Sequence, residues 1–166
     1  MRATALILVV LSLAAPVAPQ NGIQSTTVDH IIVLKSEHVM RLYTHDKLVK
    51  EYHVALGLNP VGPKRRKGDN RTPEGSYTID LKNQHSQFHL SMRVSYPNAP
   101  DRERARRQGV DPGGSIMIHG LPREFAWLGA RHRDNDWTWG CIAVTNPEIE
   151  ALWSLVQVGT KIEIRP

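Results

Sequence analysis

The chain has 166 residues, enough for one ordinary domain and too few for two. A hydrophobic fraction of 40% with 22% charged residues excludes a disordered protein, and twelve glycines with eleven prolines imply many turns and few long helices. The net charge of +5 favours anionic partners by long-range steering, but no zinc-finger spacing or RNA-binding aromatic motif accompanies it, so no nucleic-acid partner is expected.

Residues 1–19 read as a secretory signal peptide. Arg2 supplies the positive start, and Ala3 to Ala15 is an apolar run ending in small residues. The run is too short for a membrane span of ~20 residues. Cleavage is expected after Ala14 or Ala15, because Pro19 makes Ala18 a poor site. The expectation is an exported chain whose residues 20–166 form one domain.

Val28 to Leu34 reads as a buried strand, and Val39 to Tyr43 as a second. Lys47 to Leu56 reads as a third, with Tyr52, Val54 and Leu56 alternating. The chain thus opens as a β-meander. Gly57 to Arg71 is polar and contains the basic run Lys64-Arg65-Arg66-Lys67, ordinarily a solvated surface. Its functional reading is a contact with an anionic wall polymer. Pro73 and Gly75 suit a tight turn, with a strand starting at Tyr77 and Ile79. Phe88 to Val94 is a further strand. Asp101 to Gln108 reads as a charged surface helix or turn without an apolar face. After the turn Asp111-Pro112-Gly113-Gly114, Ser115 to His119 is a strand.

Arg123 to Arg133 carries one apolar patch (Phe125, Ala126, Trp127, Leu128) and suggests a short helix. Cys141 to Val144 is the next strand. Asn146 as N-cap with Pro147 at the first helical position opens a helix, on which Ile149, Leu152, Trp153 and Val156 share one face. Gly159-Thr160 turns the chain into a last strand, Lys161 to Ile164. The fold class expected is mainly β with a short C-terminal helix.

Cys141 is the sole cysteine. In an exported chain it has no intramolecular disulfide partner, which leaves an intermolecular bond or a free reactive thiol. A buried free cysteine is often just a small core hydrophobe, and a histidine after an apolar run is often the end of a core strand. Paired, however, Cys141 and His119 are a nucleophile and the imidazole that would activate it. The eight histidines are scattered without zinc-peptidase spacing, so no metal is expected.

Three segments in order carry a family resemblance. They are Thr72-Pro73-Glu74-Gly75-Ser76-Tyr77, then Ile118-His119-Gly120, then Thr138-Trp139-Gly140-Cys141. Together they resemble the catalytic domain of the L,D-transpeptidases, the YkuD-like family, over about Val28 to Pro166. The longer Lys67-Gly68-Asp69-Asn70-Arg71-Thr72-Pro73-Glu74-Gly75 pattern and Gly-Cys-Ile-Ala-Val-Thr-Asn look like a proteobacterial subgroup. Two positions depart from the family pattern: Trp139 stands where histidine is frequent, and Ala143 where arginine is common.

The resemblance implies an L,D-transpeptidase-like β-sandwich and a periplasmic enzyme of cell-wall biogenesis and cell shape. It would act on peptidoglycan peptide stems without metal or cofactor. Cys141 would be the nucleophile, His119 the base, and the Gly120 carbonyl the group that orients the ring. Backbone N–H groups at Gly140 and Cys141, with Trp139, would stabilise the oxyanion. Thr138 would hydrogen-bond near the site, and Trp139 and Trp137 would line the cleft. Arg71 or Arg123 (or Arg131 or Arg133) would hold a stem carboxylate in place of the missing arginine.

The reaction expected is cross-linking of stems through a thioester. The alternatives are a carboxypeptidase, endopeptidase or amidase of the same fold, and a wall-binding module without activity. A papain-like or NlpC-type peptidase fits less well, since there the cysteine precedes the histidine and opens a helix.

Overall fold

The computed structural model describes residues 27–166. The expected signal segment lies outside the described residues. Val28–Leu34 (β1), Val39–Thr44 (β2) and Lys47–His53 (β3) form the anticipated antiparallel meander. In β1 the buried Val28, Ile31 and Val33 face the core.

Gly75–Ser86 (β4) and His89–Val94 (β5) are a second antiparallel pair, followed by helix α1 (Ala99–Arg107) and the short strand β6 (Met117–His119). A 3-10 segment, Arg123–Asp134, precedes β7 (Ile142–Ala143), helix α2 (Asn146–Leu155) and strand β8 (Val156–Arg165). The eight strands form one sheet in the order β3-β2-β1-β8-β4-β5-β6-β7. β8 pairs parallel with β1 and antiparallel with β4, joining the meander to the second half.

The sheet curls until its two ends meet. Past β3 the backbone of Ala55 exchanges both hydrogen bonds with Ala143 of β7 (3.0 and 2.8 Å), and Gly57 bridges Thr138. One apolar core fills the interior. It takes Ile31, Val33, Met40 and Leu42 from the meander, Met92, Val94, Ile118 and Ile142 from the second half, and Ile149 and Leu152 from α2. The sandwich expected from the resemblance is thus two halves of one curled sheet over a shared core.

Several elements differ from the sequence expectation, each for a local reason. β3 stops at His53, because the chain beyond it pairs with 136–143 instead: Leu56 N–H donates to Asp136 Oδ1 at 2.7 Å. The last strand is continuous from Val156; Gly159 (φ +97°) makes a bulge within it, stitched by Thr160 Oγ1, which accepts from Gln157 N–H.

Helix α1 does bury a face, through Ala105 and, unexpectedly, Asp101. The Asp101 carboxylate accepts from Tyr77 OH (3.0 Å), Arg104 (2.6 Å) and the Asn98 N–H, which satisfies it in the interior. The cap of α2 is Thr145 rather than Asn146: Glu148 reaches back to accept from Thr145 N–H and Oγ1. Asn146 is freed to accept the Leu121 N–H at 2.6 Å, tying the helix to the loop after His119.

Candidate active site

Strands β6 and β7 are three and two residues long, yet they place both reactive groups. Their parallel register sets His119 opposite Ala143 and Ile118 opposite Ile142. Cys141 lies two residues before Ala143 and His119 is its cross-strand partner, so both side chains leave the same face of the sheet. They line a single cleft of about 640 Å³ with Phe88, Ser115, Met117, Trp137, Thr138 and Trp139 among its walls.

His119 is buried, and its Nδ1 lies 2.7 Å from the Gly120 carbonyl oxygen. A carbonyl only accepts, so Nδ1 carries the proton and Nε2 keeps a free lone pair. The ring is enclosed by Phe88 (centroids 4.4 Å apart) and by Trp137, edge-on at 5.7 Å. Burial pulls the His119 pKa down to about 4 against the opposing Gly120 hydrogen bond, so the ring is neutral at pH 7. Gly120 has no room for a side chain: a Cβ would sit 2.5 Å from Asn146 Oδ1 and 2.9 Å from Ile149 Cγ2.

Cys141 is partly exposed and free. Its Sγ accepts from Met117 N–H at 3.4 Å and donates to the Ser115 carbonyl at 3.6 Å. Burial pushes the thiol above its ordinary pKa, opposed by the Met117 N–H and more weakly by the charge of Lys64. The resting pair is therefore a neutral thiol and a neutral imidazole.

The turn before Cys141 is pinned from both sides. Thr138 Oγ1 donates to the Cys141 carbonyl (2.7 Å) and accepts from Gly140 N–H (3.1 Å). The Gly140 N–H, expected among the oxyanion donors, is therefore engaged by Thr138 in this structure. Gly140 has φ +120°, and a Cβ on it would meet the Arg71 carbonyl oxygen at 2.5 Å. Its glycine identity is thus a requirement of backbone packing.

Trp139 is 80% exposed at the mouth of the cleft, while Thr138 is buried. Arg71 does not bring its guanidinium to the sulfur. Its carbonyl packs on Gly140, and its side chain runs to Gly62. Arg123 is exposed at the start of the 3-10 segment, away from the residues lining the cysteine cleft. Arg133 is bonded to Glu148, and Arg131 lines a neighbouring cavity of about 570 Å³. Ala143 is fully buried in the seam where the sheet closes. His89 points to Glu150 of α2 at 2.7 Å.

Sequence reading missed Phe88 and His132. His132 is buried and accepts the Trp137 indole N–H at 3.4 Å, which holds Trp137 against His119. Neither residue lies in a recognisable spacing; Phe88 is one of only two phenylalanines, the sole signal it offers. Among the described residues no group of three or more His, Cys, Asp or Glu side chains is placed to hold a metal ion.

The site thus joins a carbonyl-oriented histidine at the end of β6 to a free cysteine just before β7, on a sheet closed on itself. The sequence model of the YkuD family, the L,D-transpeptidase catalytic domain, matches residues 28–164, and the chain belongs to that family. It is 28% identical over 134 residues to YafK of Escherichia coli K12, whose own description as an L,D-transpeptidase is provisional; the match covers 76% of this chain and 46% of YafK.

Among solved structures it resembles the helical cell shape determining protein Pgp2 of Campylobacter jejuni, with TM-score 0.64 and 26% identity over 87% of this chain and 52% of that one. An L,D-transpeptidase of Mycobacterium smegmatis shares the fold, with TM-score 0.54 and 14% identity over 82% of this chain and 58% of that one. The chain spans about half the length of the relatives it matches.

Proposed function

We propose that the protein is a periplasmic peptidoglycan L,D-transpeptidase that cross-links peptide stems through a Cys141 thioester. The observation carrying this reading is the shared cleft of Cys141 and His119, with His119 Nδ1 held by Gly120 so that Nε2 keeps the lone pair a base needs. Family membership supports the choice of substrate class.

In the first step Cys141 Sγ attacks the carbonyl carbon at the L-centre of the stem diaminopimelate. His119 takes the thiol proton and passes it to the departing amine of the terminal D-residue as the C–N bond breaks. In the second step an amine of another stem attacks the thioester, His119 takes its proton, and the thiol is regenerated. With the Gly140 N–H occupied, the backbone N–H groups of Cys141 and Trp139 are the expected donors left for the oxyanion. Such a donor is typically worth ~10²–10³ in rate.

Mass spectrometry of purified muropeptides incubated with the wild type and with Cys141→Ala tests the reading. Dimers formed by the wild type alone are expected. Shortened monomers alone would replace it with a carboxypeptidase, and loss of existing dimers with an endopeptidase. Identical behaviour of the two proteins would remove the thiol mechanism altogether.

A further inference from the structure

Beside Trp139 the cysteine cleft adjoins a second, polar hollow of about 490 Å³, lined by Lys64, Lys67, Asn70, Asp111, Ser115 and Trp139 together with three glycines. Ser115 and Trp139 also wall the cysteine cleft, so the two spaces share a border. The hollow lies between two turns packed face to face. Lys67 N–H donates to the Asp111 carbonyl at 2.7 Å, and a Cβ on Gly113 would meet Lys67 Cα at 3.2 Å.

The backbone around it is in an unusual state. Gly68 (φ +77°), Asn70 (+56°), Gly113 (+76°) and Ser115 (+56°) all occupy the left-handed region. For Asn70 and Ser115 that conformation is uphill and has to be held by the surroundings. The rigidity comes from Asp69, whose two oxygens accept from Lys64 Nζ and from the N–H groups of Arg65, Arg66 and Arg71 at 2.6 to 3.1 Å.

Within the hollow, charge is divided unevenly. Lys64 is buried and spent on Asp69. Asp111 turns Oδ1 onto the Gly113 N–H at 2.8 Å. Among the described residues the Lys67 ammonium, the Asn70 side-chain amide and the Ser115 hydroxyl have no partner. A rigid cradle with one uncommitted cation and two uncommitted side-chain donors fits a carboxylate.

We propose that this hollow is a carboxylate subsite, in which Lys67, assisted by Asn70 and Ser115, holds a free carboxylate of the peptide whose carbonyl is presented to Cys141. The inference rests on the stem-peptide reading above. It supplies the cation that Ala143, Arg71 and Arg123 do not bring to the cleft.

Calorimetric titration separates the two ideas, because binding is read without turnover. The parent is the full chain carrying Cys141→Ala, and the ligand is a diaminopimelate tetrapeptide stem. Adding Lys67→Gln is expected to weaken binding about tenfold or more, as loss of a charge-assisted hydrogen bond would. Lys67→Arg should recover most of it. Two further peptides carry an amide either at the diaminopimelate side-chain carboxylate or at the C-terminus. The one whose affinity no longer depends on Lys67 identifies the carboxylate held.

Equal binding of the free peptide to the parent and to a folded Lys67→Gln variant overturns the subsite and leaves the proposed function standing. A Lys67 effect that persists with both amidated peptides, and with a third amidated at the α-carboxylate of the γ-linked glutamate, also overturns it. No binding of any stem peptide to the parent removes the substrate reading, and the subsite with it.

Discussion

His119 is enclosed on every side that the mechanism does not use, and this sets how the enzyme should respond to pH. Its ring sits under Phe88 and against Trp137, and burial outweighs the Gly120 hydrogen bond, so it stays unprotonated down to about pH 4. The proposed acylation needs that neutral ring. The acid limb of single-turnover acylation should therefore fall near pH 4, well below the ordinary histidine value of ~6.5. Because burial also raises the Cys141 thiol, alkylation by iodoacetamide should keep rising past the ordinary thiol range. An acid limb near 6.5 would mean that His119 is solvated in the working enzyme.

Cys141, His119 and Gly120 were legible in the sequence because each sits in a short motif whose chemistry is local. Where the Arg71 and Arg123 side chains lie could not be read from the sequence, since the reach of an arginine from a loop depends on the loop's path. Phe88 and His132 carry no local signature at all. They act on His119 and Trp137 through contacts that only the fold creates.

Among the elements, the strands of the meander were readable by their alternation, and α2 by its apolar spacing. β6 and β7 are too short for periodicity to speak, and their pairing is parallel between segments separated by the whole 3-10 region. The turn that delivers Cys141 depends on backbone packing that no pattern announces. Gly57, Gly140 and the 70–71 backbone meet so closely that a Cβ on Gly57 would lie 2.2 Å from the Asn70 oxygen and 3.0 Å from Gly140 Cα.

Gly140→Ala would have to push Arg71 away and hold an alanine at a φ that favours glycine. The nucleophile would move with the turn, and a displacement of about an ångström can cost ~10² in rate. We expect thioester formation, followed by intact-protein mass spectrometry, to fall at least ~10²-fold. Gly109→Ala is the control. Its φ is also positive, at +64°, but nothing lies within 4 Å of the new methyl, so it should cost about 1 kcal/mol of stability and leave the acylation rate near that of the wild type. Equal acylation rates for the two variants would show that the turn tolerates movement.

At the scale of the whole molecule, the run of short alternating segments gave the mainly β class, but the strand order did not follow from it. β8, last in sequence, lies between β1 and β4, and only the tertiary closure at Ala55 and Ala143 completes the sheet. The same closure buries titratable groups and so makes stability depend on pH.

His119 and His132 are both lowered to about 4. Burial is the main cause for each, with the Arg133 charge adding to it at His132. The unfolded chain takes up protons at these sites near pH 6.5 while the folded one does not, so stability falls as pH drops from ~6.5 toward about 4. Displacements of this size are worth up to ~3 kcal/mol for each histidine.

Asp69 behaves in a second window. Burial would raise its pKa, but Lys64 and the N–H groups of Arg66, Arg65 and Arg71 outweigh that and hold it at about 2. Its contribution, about 2 kcal/mol, is present above pH ~4 and lost as pH falls toward about 2. Urea melts across pH should therefore show a plateau above ~6.5 and two successive losses below it. His132→Gln keeps a hydrogen-bond acceptor for Trp137 without the titration and should remove roughly half of the first loss while sparing the second. Asp69→Asn should lower the plateau and flatten only the second. If stability is unchanged between pH 7 and 4, His119 and His132 are not held neutral by the fold, and the closed, dry seam behind the active site is not what sets their charge.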